Sequence, residues 1–273
     1  IDGDRTGTND SGNYGILFNN TVTNATLTDV TIDNVDDYGI YYNATSNVTI
    51  NNFSMTNAQG NTGSYGMRFN GIANDIDINT ATIDMDNNWT TDDGNYGIYF
   101  NNTNTNISLD NITMHDAEVN GLYFGGLATD ITITNSDFDN FDGSVNNEMI
   151  RFQNNVDDLT MTDVTIDEDV TGTTDDGNVG IWFNGVINAN PANTAVLTRV
   201  SINAADNDGI AIQTTTSNLT FDNCTITGLL EGVGNEDGID FYNNASRTNV
   251  VITNSTFDSN GRAGLVIHTG NAT

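Results

Sequence analysis

The sequence predicts an all-β fold, a right-handed parallel β-helix of about ten coils with three short strands in each. Three observations carry this. A pentapeptide of the form Gly-Ile-x-Phe-Asn recurs ten times, an alternating apolar–threonine block follows each of the first nine copies, and one proline with no heptad pattern leaves nothing that calls for a helix.

The first strand of each coil is the pentapeptide. It reads GILFN (15–19), GIYYN (39–43), GMRFN (66–70), GIYFN (97–101), GLYFG (121–125), MIRFQ (149–153), GIWFN (180–184), GIAIQ (209–213), GIDFY (238–242) and GLVIH (264–268). Successive copies are 24 to 31 residues apart. Period-two alternation puts the second and fourth residues of each copy on one buried face. Ile16, Ile40, Ile98 and Ile181 are then expected to stack as an aliphatic ladder. Phe18, Phe69, Phe100, Phe124, Phe152, Phe183 and Phe241 are expected to stack as an aromatic one. Asn19, Asn43, Asn70, Asn101 and Asn184 would form an amide ladder at the next bend, of the kind that stabilises stacked strands.

The second and third strands lie in the block that follows, as in ATLTDVTI (25–32), VTINNFSM (48–55), ISLDNITM (107–114), LTMTDVTI (159–166) and VVITNSTF (250–257). Two polar residues divide each block. Asn or Asp dominates the second of them, at Asp29, Asn52, Asn111, Asn135, Asp163, Asn223 and Asn254. These residue types tolerate the left-handed backbone of a sharp bend. Stacking such coils gives a parallel solenoid, and parallel crossovers are right-handed.

With these repeats in view, the chain resembles the parallel β-helix repeat proteins of the pectate-lyase-like superfamily over nearly its whole length. The resemblance is specific for fold. It says little of function, because lyases, hydrolases, tailspikes, adhesins and fibres share that fold.

A larger period underlies the coils. Residues 1–13, 83–95 and 166–178 read IDGDRTGTNDSGN, IDMDNNWTTDDGN and IDEDVTGTTDDGN, 82 and then 83 residues apart. The unit of duplication is therefore three coils, about 82 residues, closed by a long acidic bend. Residues 1–273 read as one β-helix, a segment of a longer or polymerising protein. The chain opens on Ile1 inside the acidic bend, and Thr273 stops partway through a coil. Ten coils at about 4.8 Å each would span roughly 48 Å.

The net charge is −31, with six Arg and no Lys, and Asn and Thr make up nearly a third of the chain. Phosphate binding needs clustered cations, so no nucleic-acid partner is expected, and an anionic membrane surface is unfavourable for the same reason. No apolar run reaches the ~20 residues of a membrane-spanning helix. Self-repulsion on this scale suits a salty or calcium-rich medium. The expected setting is secreted or cell-surface. The single cysteine, Cys224, forms no intrachain disulfide and aligns with the inward Val30, Phe53 and Val164.

The acidic bends supply Asp2, Asp4 and Asp10, then Asp84, Asp86, Asp92 and Asp93, then Asp167, Glu168, Asp169, Asp175 and Asp176. Calcium takes six to eight hard oxygen ligands, and an Asp-x-Asp pair facing an Asp-Asp-Gly-Asn turn offers several. The other reading is a solvated bend of Asx-turns that keeps the rod soluble.

The third residue of the pentapeptide faces outward between two inward neighbours. Down the coils it gives Leu17, Tyr41, Arg68, Tyr99, Tyr123, Arg151, Trp182, Ala211, Asp240 and Val266. Tyr, Trp and Arg dominate contact hot spots. The stripe is expected to stack on sugar rings, to pack on a neighbouring chain, or to be covered by a loop of its own chain. The outward threonines Thr31, Thr82, Thr113, Thr165, Thr225 and Thr256 are accounted for by β-propensity.

Asn-x-Ser/Thr sites include Asn24, Asn47, Asn106, Asn111, Asn218 and Asn254 and are weak candidates for glycosylation in so Asn- and Thr-rich a chain. NEDGID (235–240) looks like one motif of β-helical polygalacturonases, but the Asp-Asp pair, Gly-His-Gly and Arg-Ile-Lys of that family do not follow. Asp237 and Asp240 read as coil residues, and no catalytic residue is assigned. The functional expectation is a structural or adhesive solenoid whose partners are copies of itself or surface glycans. The alternatives are a carbohydrate-binding or carbohydrate-active β-helix and a calcium-dependent surface-layer component.

Overall fold

The computed structural model describes residues 14–35, 37–58, 64–85, 96–139, 148–167, 179–203, 205, 207–229, 236–242 and 246–268. Among them every regular element is a strand, and every strand pairing is parallel. The first two strands are long, β1 (Tyr14–Val35) and β2 (Tyr38–Ala58). There follow β3 (Tyr65–Phe69) and β4 (Ala73–Asp84), β5 (Tyr96–Phe100) and β6 (Asn104–His115), β7 (Asn120–Phe124) and β8 (Ala128–Asp139), β9 (Glu148–Phe152) and β10 (Val156–Asp167), and β11 (Val179–Phe183) and β12 (Ala195–Asn203). The remaining strands are β13 (Ile210–Ile212), β14 (Thr216–Asp222), β15 (Thr225–Thr227), β16 (Asp237–Phe241), β17 (Arg247–Thr253), β18 (Thr256–Asp258) and β19 (Ala263–Ile267).

The pentapeptide strands pair with one another from coil to coil, and the following strands do the same, which makes a parallel β-solenoid. The separate pentapeptide strand with its following block appears in seven turns, from β3–β4 to β16–β18. The expectation of about ten coils of three short strands is corrected accordingly. β1 and β2 run pentapeptide and block together, β19 has no following strand among the described residues, and the bend inside the block costs so little pairing that β4, β6, β8 and β10 stay single strands.

The bend itself is where the sequence placed it. Asp29, Asn52, Asn111, Asn135, Asp163, Asn223 and Asn254 all have φ between 50° and 57°. Thr80 and Arg199 hold the same place in their coils, at φ 62° and 51°. A second left-handed column lies five residues earlier, at Asn24, Asn47, Asp75, Asn106, Asp130, Asp158, Asn218 and Asn249. Asn and Asp accept this conformation because their short polar side chains bond locally, which lowers its cost.

The core is a set of ladders. The rings of Phe18, Tyr42, Phe69, Phe100, Phe124, Phe152 and Phe183 stack in order with centroids 4.6–5.1 Å apart and planes within 10° of parallel. Ile212 then interrupts the run before Phe241. Ile16, Ile40, Met67, Ile98, Leu122, Ile150, Ile181, Ile210, Ile239 and Leu265 form the aliphatic ladder beside it. The pentapeptide glycines are needed for close approach: a Cβ on Gly97 would stand 2.4 Å from the Gly121 carbonyl oxygen. The asparagine ladder reaches mainly to carbonyls, with Asn43 Nδ2 donating to Asn19 O (3.1 Å) and Asn101 Nδ2 to Asn70 O (3.3 Å). Cys224 is buried, as its alignment predicts.

Candidate functional site

Two groups of side chains stand out on the outer side of the pentapeptide sheet. The first is the aromatic–arginine stripe. Its members are half-buried rather than solvent-facing, because a second column stands beside them. Beside the stripe stands the residue before the pentapeptide glycine, which in four coils is tyrosine: Tyr14, Tyr38, Tyr65 and Tyr96. Their rings stack at 4.9, 5.2 and 4.9 Å. Tyr41 stands edge-on to Tyr38, and Tyr99 edge-on to Tyr65 and Tyr96. Tyr99 stacks on Tyr123 at 4.6 Å. The signal of the Tyr column is Tyr-Gly at the start of four repeats, and the third pentapeptide position taken alone does not reveal it.

The arginines are bound into the same stack. The Arg68 guanidinium carbon lies 4.7 Å from the Tyr65 ring centre and 5.4 Å from that of Tyr99, and its nitrogens donate to Tyr38 Oη (3.1 Å) and Asn70 Oδ1 (3.2 Å). Arg151 lies 5.3 Å from the Trp182 ring and donates to Glu148 Oε2 (2.9 Å) and Gln153 Oε1 (2.8 Å). Glu148 is 1% exposed, and burial pushes its carboxyl up while Arg151 and Asn120 pull it back. Burial likewise raises the phenols of Tyr96, Tyr99 and Tyr123, and that of Tyr65 to about 12. The structure thus brings together Tyr41, Arg68, Tyr99, Tyr123, Arg151 and Trp182, and turns their ring faces and guanidinium donors largely toward one another.

The second group continues the same two columns into the C-terminal coils. Asp208 and Asp237 take the place of the tyrosines, and Asp240 the place of the stripe residue. Asp208 and Asp237 are fully buried and Asp240 is 1% exposed, and one oxygen of each lies within 4.8 Å of the others. Tyr242 Oη donates to Asp208 Oδ2 at 2.5 Å, and the Asp237 amide donates to Asp208 Oδ1 at 3.1 Å. Arg262 clasps Asp237 with two nitrogens, Nε at 2.9 Å and Nη2, and reaches within 3.6 Å of Asp240. His268 Nε2 lies 3.1 Å from the Asp240 carboxylate. Burial pushes Asp208 up to about 7, against the pull of Tyr242 and the Asp237 amide, and raises Asp240 as well.

Asp237 and Asp240 lie in a coil strand, as their motif suggests, and they also converge with Asp208 from the preceding coil. The signal was the recurrence of Asp-Gly-Ile in NDGIAI and NEDGID at the coil spacing. A carboxyl that burial holds up to about 7, beside two other carboxyls and a guanidinium, has the parts of an acid–base site.

Of the expected calcium residues, Asp2, Asp4, Asp10, Asp86, Asp92, Asp93, Glu168, Asp169, Asp175 and Asp176 lie outside the described residues. Asp84 and Asp167 are described, in one column with His115 and Asp139 between them. His115 Nδ1 contacts Asp139 Oδ1, and Asp167 accepts from Asn203 Nδ2 at 3.1 Å. The glycosylation candidates Asn24, Asn47, Asn106, Asn111, Asn218 and Asn254 are all left-handed corner residues, exposed except for the half-buried Asn218. Most of their amides are committed along the axis: Asn47 to Asn24, Asn106 to Asp75 (2.7 Å), Asn111 to Thr80 (3.1 Å), Asn254 to Asp222 (3.0 Å). Asn218 instead closes the proline-bearing insertion of the coil before it, donating to Pro191 O at 2.8 Å.

All-parallel pairing, single-residue corners and stacked ladders define a parallel β-solenoid. Residues 97–273 match the family described as right handed beta helix region. The chain belongs to the right-handed β-helix family, consistent with its likeness to pectate-lyase-like parallel β-helix proteins. A comparison with curated proteins finds no match for it.

Proposed function

We propose that this chain is a structural and adhesive β-solenoid, part of a surface fibre, filament or adhesin stalk on a secreted or cell-surface protein. The observation that carries the reading is the self-stacking of the outer stripe. Rings and guanidinium groups that would serve recognition are spent pinning coil to coil, from Tyr14 to Trp182. A chain that repeats one ladder set along its axis is suited to stiffness and to many identical contacts. Its partners are copies of itself, end to end or laterally, or surface glycans that meet the ring edges and hydroxyls of the stripe. Electron microscopy of the native material, with calcium and then with chelator, tests this. Continuous rods or fibres are expected; isolated short rods under both conditions would overturn it.

The Asp208–Asp237–Asp240 group favours a second reading, a carbohydrate-active β-helix. Glycosidic hydrolysis uses one protonated and one ionised carboxyl across the scissile bond. A polymeric substrate would have to displace Tyr242 and Arg262 to reach these groups. Release of reducing ends from an acidic polysaccharide, abolished by Asp237→Asn, would move the assignment to this reading; no release from a broad panel would leave the structural one.

A further inference from the structure

Three carboxylates this close cannot all stay ionised away from water unless cations balance them. Here the balance is uneven. Arg262, beside β19, donates to both oxygens of Asp237 and approaches Asp240, and His268 contacts the outer side of Asp240. Arg247 gives its Nη2 to the carbonyls of Phe241 (2.8 Å) and Tyr242 (3.0 Å). Glu236, also buried, precedes Asp237 and adds no positive charge. On the other side the Asp208 carbonyl accepts from the Gly180 amide of β11 (3.2 Å), and the next charged residue down the column, Glu148, is held by Arg151 and Asn120. Among the described residues, the hydrogen bonds to the Asp208 carboxyl come from neutral donors, the Tyr242 hydroxyl and the Asp237 amide. The group spans three successive coils, those of β13, β16 and β19.

We propose that Asp208, Tyr242 and the Asp237–Asp240–Arg262 network form a proton-held latch, in which a proton on Asp208 pins the three C-terminal coils together and its loss to solvent loosens them. With the proton in place the cluster carries one negative charge fewer, and Arg262, in reach of both Asp237 and Asp240, offsets part of what those two can carry. Without it a further charge appears within 4.8 Å of two other carboxyls. Burial holding Asp208 up to about 7 agrees with this geometry. An ordinary aspartate ionises near 3.9. From there to about 7 the folded chain keeps a proton that the unfolded chain has lost, so stability falls as pH rises through that window and levels off above it. Most paired carboxylates behave in the opposite sense.

The test is hydrogen exchange on the full chain from about pH 4 to above pH 7, corrected for intrinsic rates. Amides of residues 237–241 and 263–267 are expected to lose protection progressively as pH rises to about 7 and to change little above it, while those of residues 120–124 in mid-solenoid keep theirs. Asp208→Asn, neutral at every pH, should keep C-terminal protection throughout. Tyr242→Phe removes the donor to the ionised form and should move the transition to higher pH. An Asp208→Asn chain that loses protection as the parent does, or an equal loss in residues 120–124, would overturn the latch. Carboxyl NMR of the parent chain decides independently of any variant: Asp208 titrating in the ordinary aspartate range would also overturn it.

Discussion

Asn111 shows how one residue is chosen by its place. Its φ of 57° is costly for a residue with a branched or apolar side chain, and its amide donates to Thr80 Oγ1 one coil back. Asn111→Ala is expected to lower stability by about 1–2 kcal/mol and Asn111→Gly by less, since glycine accepts the backbone and loses only the bond. Thermal melts of the two variants give the comparison. Arg151 is chosen by charge. It is the guanidinium that compensates Glu148, and Arg151→Ala would leave a buried carboxylate with Asn120 alone, at a cost of about 3–5 kcal/mol below which the ion pair would be shown to matter little. Because burial raises Glu148, that loss should ease as pH falls and the carboxyl takes up a proton. At the corners the sign reverses. Hydrogen bonds from Thr134 and Asn135 hold Asp110 down, and bonds from Asn254 and Thr253 hold Asp222 down. Their contribution is present above the ordinary aspartate range and fades as pH falls through it.

At the level of elements, the ring ladder is the coil-to-coil joint. Phe124 stacks on rings both above and below, each at 5.0 Å, whereas Phe183, among the described residues, stacks on Phe152 alone, at 5.1 Å, with Ile212 on its other side. Truncating a buried Phe costs about 3–5 kcal/mol, and each ring pair adds about 0.5–1.5 kcal/mol beyond burial. Phe124→Ala should therefore destabilise more than Phe183→Ala, by about 1 kcal/mol, in chemical denaturation; equal losses would mean that the rings act by volume alone. The outer tyrosines make a parallel joint on the solvent side. Tyr99→Ala and Trp182→Ala are expected to weaken assembly or glycan retention, with loss of coil stability beneath it.

For the molecule as a whole, the net charge of −31 sets the terms. Charges spread over the corners of a rod repel along its length, so added salt should raise the melting temperature. If the acidic bends hold calcium, chelation should lower that temperature further than matched ionic strength accounts for, because a ligand bound only by the folded state stabilises it. A melt unchanged by chelator removes calcium from the account.

The sequence by itself determined the solenoid. Ten repeats in register, the period-two blocks and the Asn or Asp at the bend fixed strand, corner and ladder, because each depends on local backbone preference and on which face a residue takes. It also determined that the stripe holds Tyr41, Arg68, Tyr99, Tyr123, Arg151 and Trp182. Only the tertiary structure decided what those side chains meet. Contacts at a separation of one coil, 24 to 31 residues, depend on register between columns, and a single column read alone conceals its neighbour. Tyr65 beside Arg68, and Asp208 beside Asp237 and Asp240, came together that way. Burial decided the rest: an aspartate that would be an ordinary acid on an exposed corner is pushed up to about 7 when it is buried beside two other carboxyls, against the pull of the Tyr242 hydroxyl.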